Sequence, residues 1–78
     1  MKAKAVFYHA GCPVCVSAEH HVAQALDETR YELEVVHLGE AKPRIAEAEA
    51  QGVKSVPALV LNGEPFHINF GADLAALK

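Results

Sequence analysis

Asn62-Gly63, set between "ALVLN" (58–62) and "FHINF" (66–70), restricts the fold of this 78-residue chain more than any other feature. Asn-Gly between two β-rich runs marks a two-residue hairpin, because both turn positions need the left-handed backbone that these residues tolerate. The last two strands are therefore expected to be antiparallel neighbours. The earlier β-rich runs are separated by helical patterns instead. "AKAVFYH" (3–9) is rich in Val and aromatics and reads as a first strand. "PVCVSAEHHVAQALDE" (13–28) carries Ala18, Val22, Ala25 and Leu26 at helical spacing, with Pro13 suited to the first turn. "YELEVVHL" (31–38) reads as a second strand. "EAKPRIAEAEAQ" (40–51) reads as a helix, with Pro43 near its start and Gly52 just after it. Glu40 and Arg44 are spaced to pair across one of its turns. "ALVLN" is a continuous apolar run, as a strand covered on both faces requires. "FHINF" puts Phe66, Ile68 and Phe70 on one face, and Pro65 before it suits an edge strand. "ADLAALK" (72–78) reads as a short last helix, with Asp73 early and Lys78 late against the helix dipole.

The resulting order is β-α-β-α-β-β-α. A strand–helix–strand unit is parallel, so the first two strands are expected to be parallel. The fold class is α/β, a four-stranded mixed sheet with helices on both faces. A chain of this length buries one small core, so residues 1–78 are expected to form a single domain. With 51% hydrophobic and 22% charged residues, the composition is globular rather than disordered. The net charge is -3 and the seven Lys and Arg are scattered, which argues against nucleic acid. No apolar run approaches the ~18 residues of a membrane span. "MKAKAVFY" enters a strand pattern at once and lacks the apolar core of a signal peptide, so a cytoplasmic location is expected. In that reducing compartment two cysteines point to catalysis or metal binding rather than a permanent cross-link.

Those cysteines form Cys12-Pro13-Val14-Cys15, at the handover from the first strand to the first helix. Cys12 is expected at the N-cap and Cys15 in the first turn. Unsatisfied N–H groups there favour thiolate over thiol, which makes Cys12 the expected nucleophile. The i to i+3 spacing lets Cys15 attack the mixed disulfide and resolve it. Cys15 also continues the Ala18–Val22 stripe, so burial is expected. Half of a zinc site and two inert thiols are the alternatives. Zinc takes four ligands, and no second C-x-x-C is present. His20 and His21 lie roughly 160° and 100° from the stripe that holds Cys15, so they read as residues of a solvated helix face. No metal site is expected.

Together, the element order, "FYHAGCPVC" (7–15) and "SVPALVLNGE" (55–64) resemble the thioredoxin/glutaredoxin superfamily over nearly the whole chain. The small size and the Cys-Pro-x-Cys form are similar to glutaredoxins and small glutaredoxin-like thioredoxins. The resemblance implies a thioredoxin-like fold and a cis proline at Pro57. It also implies that the Val56 backbone grips an extended substrate segment beside the cysteines, by strand addition. Pro13 and His9 would flank that substrate site. The basic residue that glutaredoxins place three before the first cysteine is His9 here, and a neutral His gives a thiolate less support than Lys. Glutathione-binding groups near the C-terminus are reduced to Gly71 and Asp73. The buried acid beneath the pair in full thioredoxins is replaced by Val6.

The expected function is reduction of protein disulfides, with the Cys12–Cys15 disulfide as redox group and no further cofactor. Glutathione-dependent deglutathionylation is one alternative. A non-catalytic metal-binding or redox-sensing module is the other. Expected partners are disulfide-containing proteins and a thiol reductant or reductase. Self-association is also expected, because the last helix is short and His67 and Asn69 fall on the uncovered face of an edge strand.

Overall fold

A computed structural model describes residues 3–11, 13–27 and 29–77, with the side chains of residues 14, 69 and 70 left aside. The elements follow the expected order: β1 (Ala3–His9), α1 (Pro13–Ala25), β2 (Tyr31–His37), α2 (Ile45–Ala50), β3 (Ser55–Leu61), β4 (Glu64–Asp73) and α3 (Leu74–Leu77). They build a four-stranded sheet in the order β2-β1-β3-β4. β1 and β2 are parallel, in register from Ala3↔Tyr31 to His9↔His37. β3 runs antiparallel to both β1 and β4. Asn62 (φ 52°) and Gly63 (φ 82°) make the left-handed turn of the hairpin.

Side chains alternate across the strands, and this divides the core. Ala5 and Phe7 of β1 face α1, where they pack with Ala18, Val22 and Leu59. Tyr8 faces the other way, into a larger cluster with Val36, Leu38, Ile45, Ala48, Val60 and Leu74. Helices therefore cover both faces: α1 stands alone on one, and α2 and α3 share the other. β3 is buried from Val56 to Val60, as its apolar run requires.

Element ends depart from the sequence expectation for identifiable reasons. α1 stops at Ala25 rather than running to residue 28. The Asp27 carboxylate accepts the Thr29 N–H (2.9 Å) and Oγ1–H (2.6 Å), an Asx-type turn that competes with the helix. The second helix does not start at residue 40. Residues Lys42–Arg44 form a 3-10 turn around Pro43, and α2 follows. Proline disfavours the α conformation in the residue before it. α2 ends on a Schellman motif, with Gly52 at φ 88°, Val53 N–H on the Ala48 carbonyl and Gly52 N–H on that of Glu49. The expected Glu40–Arg44 pair is replaced: Arg44 binds Glu34 (Nη1–Oε2 2.9 Å) and Glu47 (Nη2–Oε2 2.8 Å).

β3 begins at Ser55, three residues before "ALVLN", so the Ser-Val-Pro segment belongs to the strand. β4 spans Glu64–Asp73 rather than 66–70, with a break in register. Ala58 opposes His67 but Val56 opposes Ala72, so residues 68–71 all fall opposite Pro57. Proline has no N–H to continue the ladder. Asp73 closes β4 opposite Ser55 and is not inside the last helix, which begins at Leu74. Lys78 lies outside the described residues.

At the open margin of the sheet His67 is exposed, as expected, and its Nε2 accepts the Lys54 N–H (3.1 Å), while the Asn69 side chain lies outside the described residues. Phe66 opposes Leu59 and so lies on the α1 face, 49% exposed, with Ile68 at 43%. The edge strand therefore exposes apolar Phe66 and Ile68 as well as His67.

Candidate active site

The first strand delivers the chain to the site through His9, Ala10 and Gly11. Gly11 takes φ +77°, a backbone that L side chains rarely adopt, and turns the chain toward α1. Pro13 opens α1 and is exposed. Its missing N–H costs nothing at a helix start. Two residues on, Cys15 is fully buried, as its place on the apolar stripe predicts. Cys12, the expected nucleophile, lies outside the described residues.

Cys15 shares its core cluster with Val56, Ala58 and Tyr8. The Val56–Pro57 peptide is cis, as the resemblance implies. Pro57 is buried. The β1–β3 ladder ends at Tyr8↔Ala58, so the β1-facing edge of β3 carries no strand at Val56. Val56 pairs with Ala72 on the other side. Gly71 and Asp73, both exposed, flank that Ala72. Val6, where full thioredoxins bury an acid, is half-buried and packs against the larger cluster. His20 and His21 are exposed, as expected of the wet face of α1. Among the described residues, no three His, Cys, Asp or Glu side chains converge as a metal site.

His9 ends β1 with a ring only 7% exposed. Its Nδ1 accepts the Gly11 N–H (3.1 Å), and its Nε2 lies 3.6 Å from Glu19 Oε1. The ring stacks on Phe7 and meets His37 at 4.7 Å between centroids, tilted by 54°. Burial pushes the His9 pKa below the usual imidazole range, and His37 adds to this, while Glu19 and Glu40 oppose it. His9 is therefore neutral at pH 7 and supplies no fixed positive charge. His37 was not anticipated from sequence. Its signal was there, since "FYH" and "VVH" both close strands of one parallel β-α-β unit, and in-register pairing sets the two rings side by side.

A second polar cluster sits on the α2 face. The Tyr8 hydroxyl donates to Glu47, and Arg44 bridges Glu47 and Glu34, which also meets Lys4 (3.3 Å). Burial, helped by that carboxylate, raises the Tyr8 pKa far above the usual phenol range. Arg44 holds the Glu34 and Glu47 carboxyls below theirs. A cavity of about 290 Å³ opens here, beside Lys4, Asn62 and Gly63, at the end of β1 away from the cysteines.

Comparison with known proteins agrees with this geometry. A family model described as a thioredoxin domain matches residues 1–68. A solution NMR structure of a dimeric thioredoxin-like protein from Nitrosomonas europea is 65% identical, with a TM-score of 0.91. The match covers 99% of this chain and 96% of that one. The search of curated proteins finds no match. A fold of this type supports a thiol–disulfide oxidoreductase type of function.

Proposed function

The chain belongs to the thioredoxin domain family, and from that membership we propose that it reduces protein disulfides through Cys12 and Cys15. The observation that carries this reading is the burial of Cys15 in the first turn of α1, in one cluster with Val56, the residue before cis Pro57. Cys12 precedes Pro13, where α1 begins, so the free N–H groups of that turn favour its thiolate. The neutral His9 leaves this task to the helix.

The Cys12 thiolate attacks one sulfur of a substrate disulfide. That S–S bond breaks, a Cys12–substrate bond forms, and the first substrate thiolate departs. Cys15, as thiolate, then attacks Cys12 Sγ and releases the second. The two leaving thiolates take up two protons, matching the two that the dithiol gave up. Two electrons have passed to the substrate and the Cys12–Cys15 disulfide remains. An external thiol or a reductase returns the electrons. The open edge of β3 at Val56 supports backbone pairing with an extended substrate, and Pro13 is exposed. We place this activity in the cytoplasm. Among the described residues no helix is long and apolar enough to cross a membrane.

The test is reduction of insulin disulfides with dithiothreitol as donor. Wild type is expected to be active and Cys12→Ser inactive. An inactive wild type overturns the reading, and stoichiometric zinc in protein purified without chelator favours a metal-binding module instead. A glutathione-dependent reading draws support from the β3–β4 pairing, which brings Gly71 and Asp73 beside Val56. It predicts deglutathionylation that survives Cys15→Ser.

A second copy of the chain is the proposed partner at the β4 edge. Exposed Phe66 and Ile68 form its apolar row, and the 65% identical protein is described as dimeric. Light scattering is expected to show a concentration-dependent dimer. A constant monomer mass contradicts it.

A further inference from the structure

The turn that leads into Cys12 rests on two imidazoles that the proposed chemistry does not use. His9 supplies an acceptor to the Gly11 N–H. His37 supplies a wall. A Cβ at Gly11 would stand 2.5 Å from His37 Nε2, and one at Gly39 would stand 2.8 Å from its Cε1. Two glycines therefore clamp the ring from either side. Among the described residues, His37 Nδ1 is buried with no hydrogen-bond partner. A buried polar atom left unpaired is costly, so this ring is held by packing rather than by its own bonds.

We propose that His9 is a positioning residue that latches the turn at Gly11 in its neutral form and releases it when protonated. The proposal rests on the reading of Cys12 as the reactive thiol. The latch exists in one tautomer. Nδ1 accepts from Gly11, so the ring proton is on Nε2, toward Glu19. A proton added at Nδ1 sets donor against donor, and the Gly11 N–H loses its partner. The groups that face His9 are His37 from β2, Glu19 from α1 and Glu40 from the turn after β2. The neighbouring His37 opposes protonation of His9, and the two carboxylates favour it. Burial is the largest influence and also keeps the ring neutral. Acidification then acts on Cys12 twice: it protonates the thiolate, and it frees the Gly11 turn that precedes it in sequence.

Two measurements test the latch. In 15N-labelled protein, the Gly11 amide shift is expected to follow the His9 titration, and in His9→Asn to ignore it. Asn Oδ1 takes the place of Nδ1 and accepts from Gly11 at every pH. The second is the pH profile of iodoacetamide alkylation of Cys12 in a Cys15→Ser background. Here the profile is expected to show two inflections. Adding His9→Asn is expected to remove the His9 inflection and keep the plateau rate within about twofold. Adding His9→Leu, with no acceptor, is expected to lower the plateau about fivefold, the equivalent of one lost hydrogen bond. A Gly11 amide indifferent to His9 overturns the proposal, as does an Asn variant that reacts like the Leu variant. If His9→Leu does not fold, the amide titration and the Asn profile decide. A wild type that reduces no disulfide, with a Gly11 amide that follows His9, defeats the proposed function and leaves the latch standing.

Discussion

Tyr8 and His9 are consecutive in β1, yet each anchors a polar cluster on the opposite face of the sheet. On the α2 face the polar groups pair: Tyr8 donates to Glu47, and Arg44 bridges Glu47 and Glu34. On the α1 face, His9 and His37 stand close, with one ring nitrogen unpaired and Glu19 at the limit of contact. The first cluster braces α2 against the sheet. The second holds the Gly11 turn that precedes Cys12 in sequence. One residue of sequence thus separates a charge-paired network from a pair of imidazoles, because strand alternation sends them to opposite sides.

Two glycines in left-handed backbone sharpen this contrast most strongly. Gly11→Ala is expected to destabilise by about 2–3 kcal/mol, from the strained φ and the clash with His37, and to abolish disulfide reduction. Gly52→Ala, beside α2, meets only Pro65 Cγ at 3.2 Å and is expected to cost about 1–2 kcal/mol with activity kept. Thermal melts and insulin turnover check both, and equal activity loss in the two breaks the distinction. Tyr8→Phe comes next, with a stability loss of about 1 kcal/mol and an unchanged Cys12 alkylation profile. A shifted profile would tie the α2-face cluster to the chemistry.

Acid separates the clusters without mutation. His9 has a folded pKa below its unfolded one, so the unfolded chain binds the proton first. Its contribution to stability is present above about pH 6.5 and is lost as pH falls toward the folded value. Glu34 and Glu47 are depressed carboxylates, whose contribution persists above about pH 4.3 and is lost only below it. Melting temperature is therefore expected to fall in two stages on acidification, and His9→Asn to lose the upper one. A single stage near pH 4 in wild type contradicts this. The smallest effect is expected at the β4 margin, where Phe66→Ser with Ile68→Ser gives monomers of unchanged activity. Inactive monomers would place the site at the interface.

The element order, the hairpin and the burial of Cys15 were legible because each follows from local pattern. The Asn62-Gly63 turn needs only its own two residues, and Cys15 needs only the helical repeat. What escaped depends on partners distant in sequence. Arg44 sits one turn from Glu40 in an ideal helix, but Pro43 converts that turn to 3-10, and the strand residue Glu34 becomes its partner. Asp73 reads as a helix-start acid, while pairing with Ser55 keeps it in β4. His37 looks like a strand residue, and its meeting with His9 appears only when the parallel register is known. The exposure of Phe66 and Ile68 escaped because the part of a sheet face that a helix covers is not written in the strand.

The central claim is that Cys12 and Cys15 exchange two electrons as one unit. Equilibration of the protein in buffers of reduced and oxidised glutathione, followed by acid quench, alkylation and mass analysis, measures it directly. The expected result is one transition between a dithiol and an intramolecular disulfide, with the slope of a two-electron couple, tenfold in the equilibrium constant per ~30 mV. A chain that stays dithiol across the whole range, or gathers only as a mixed disulfide with glutathione, contradicts it.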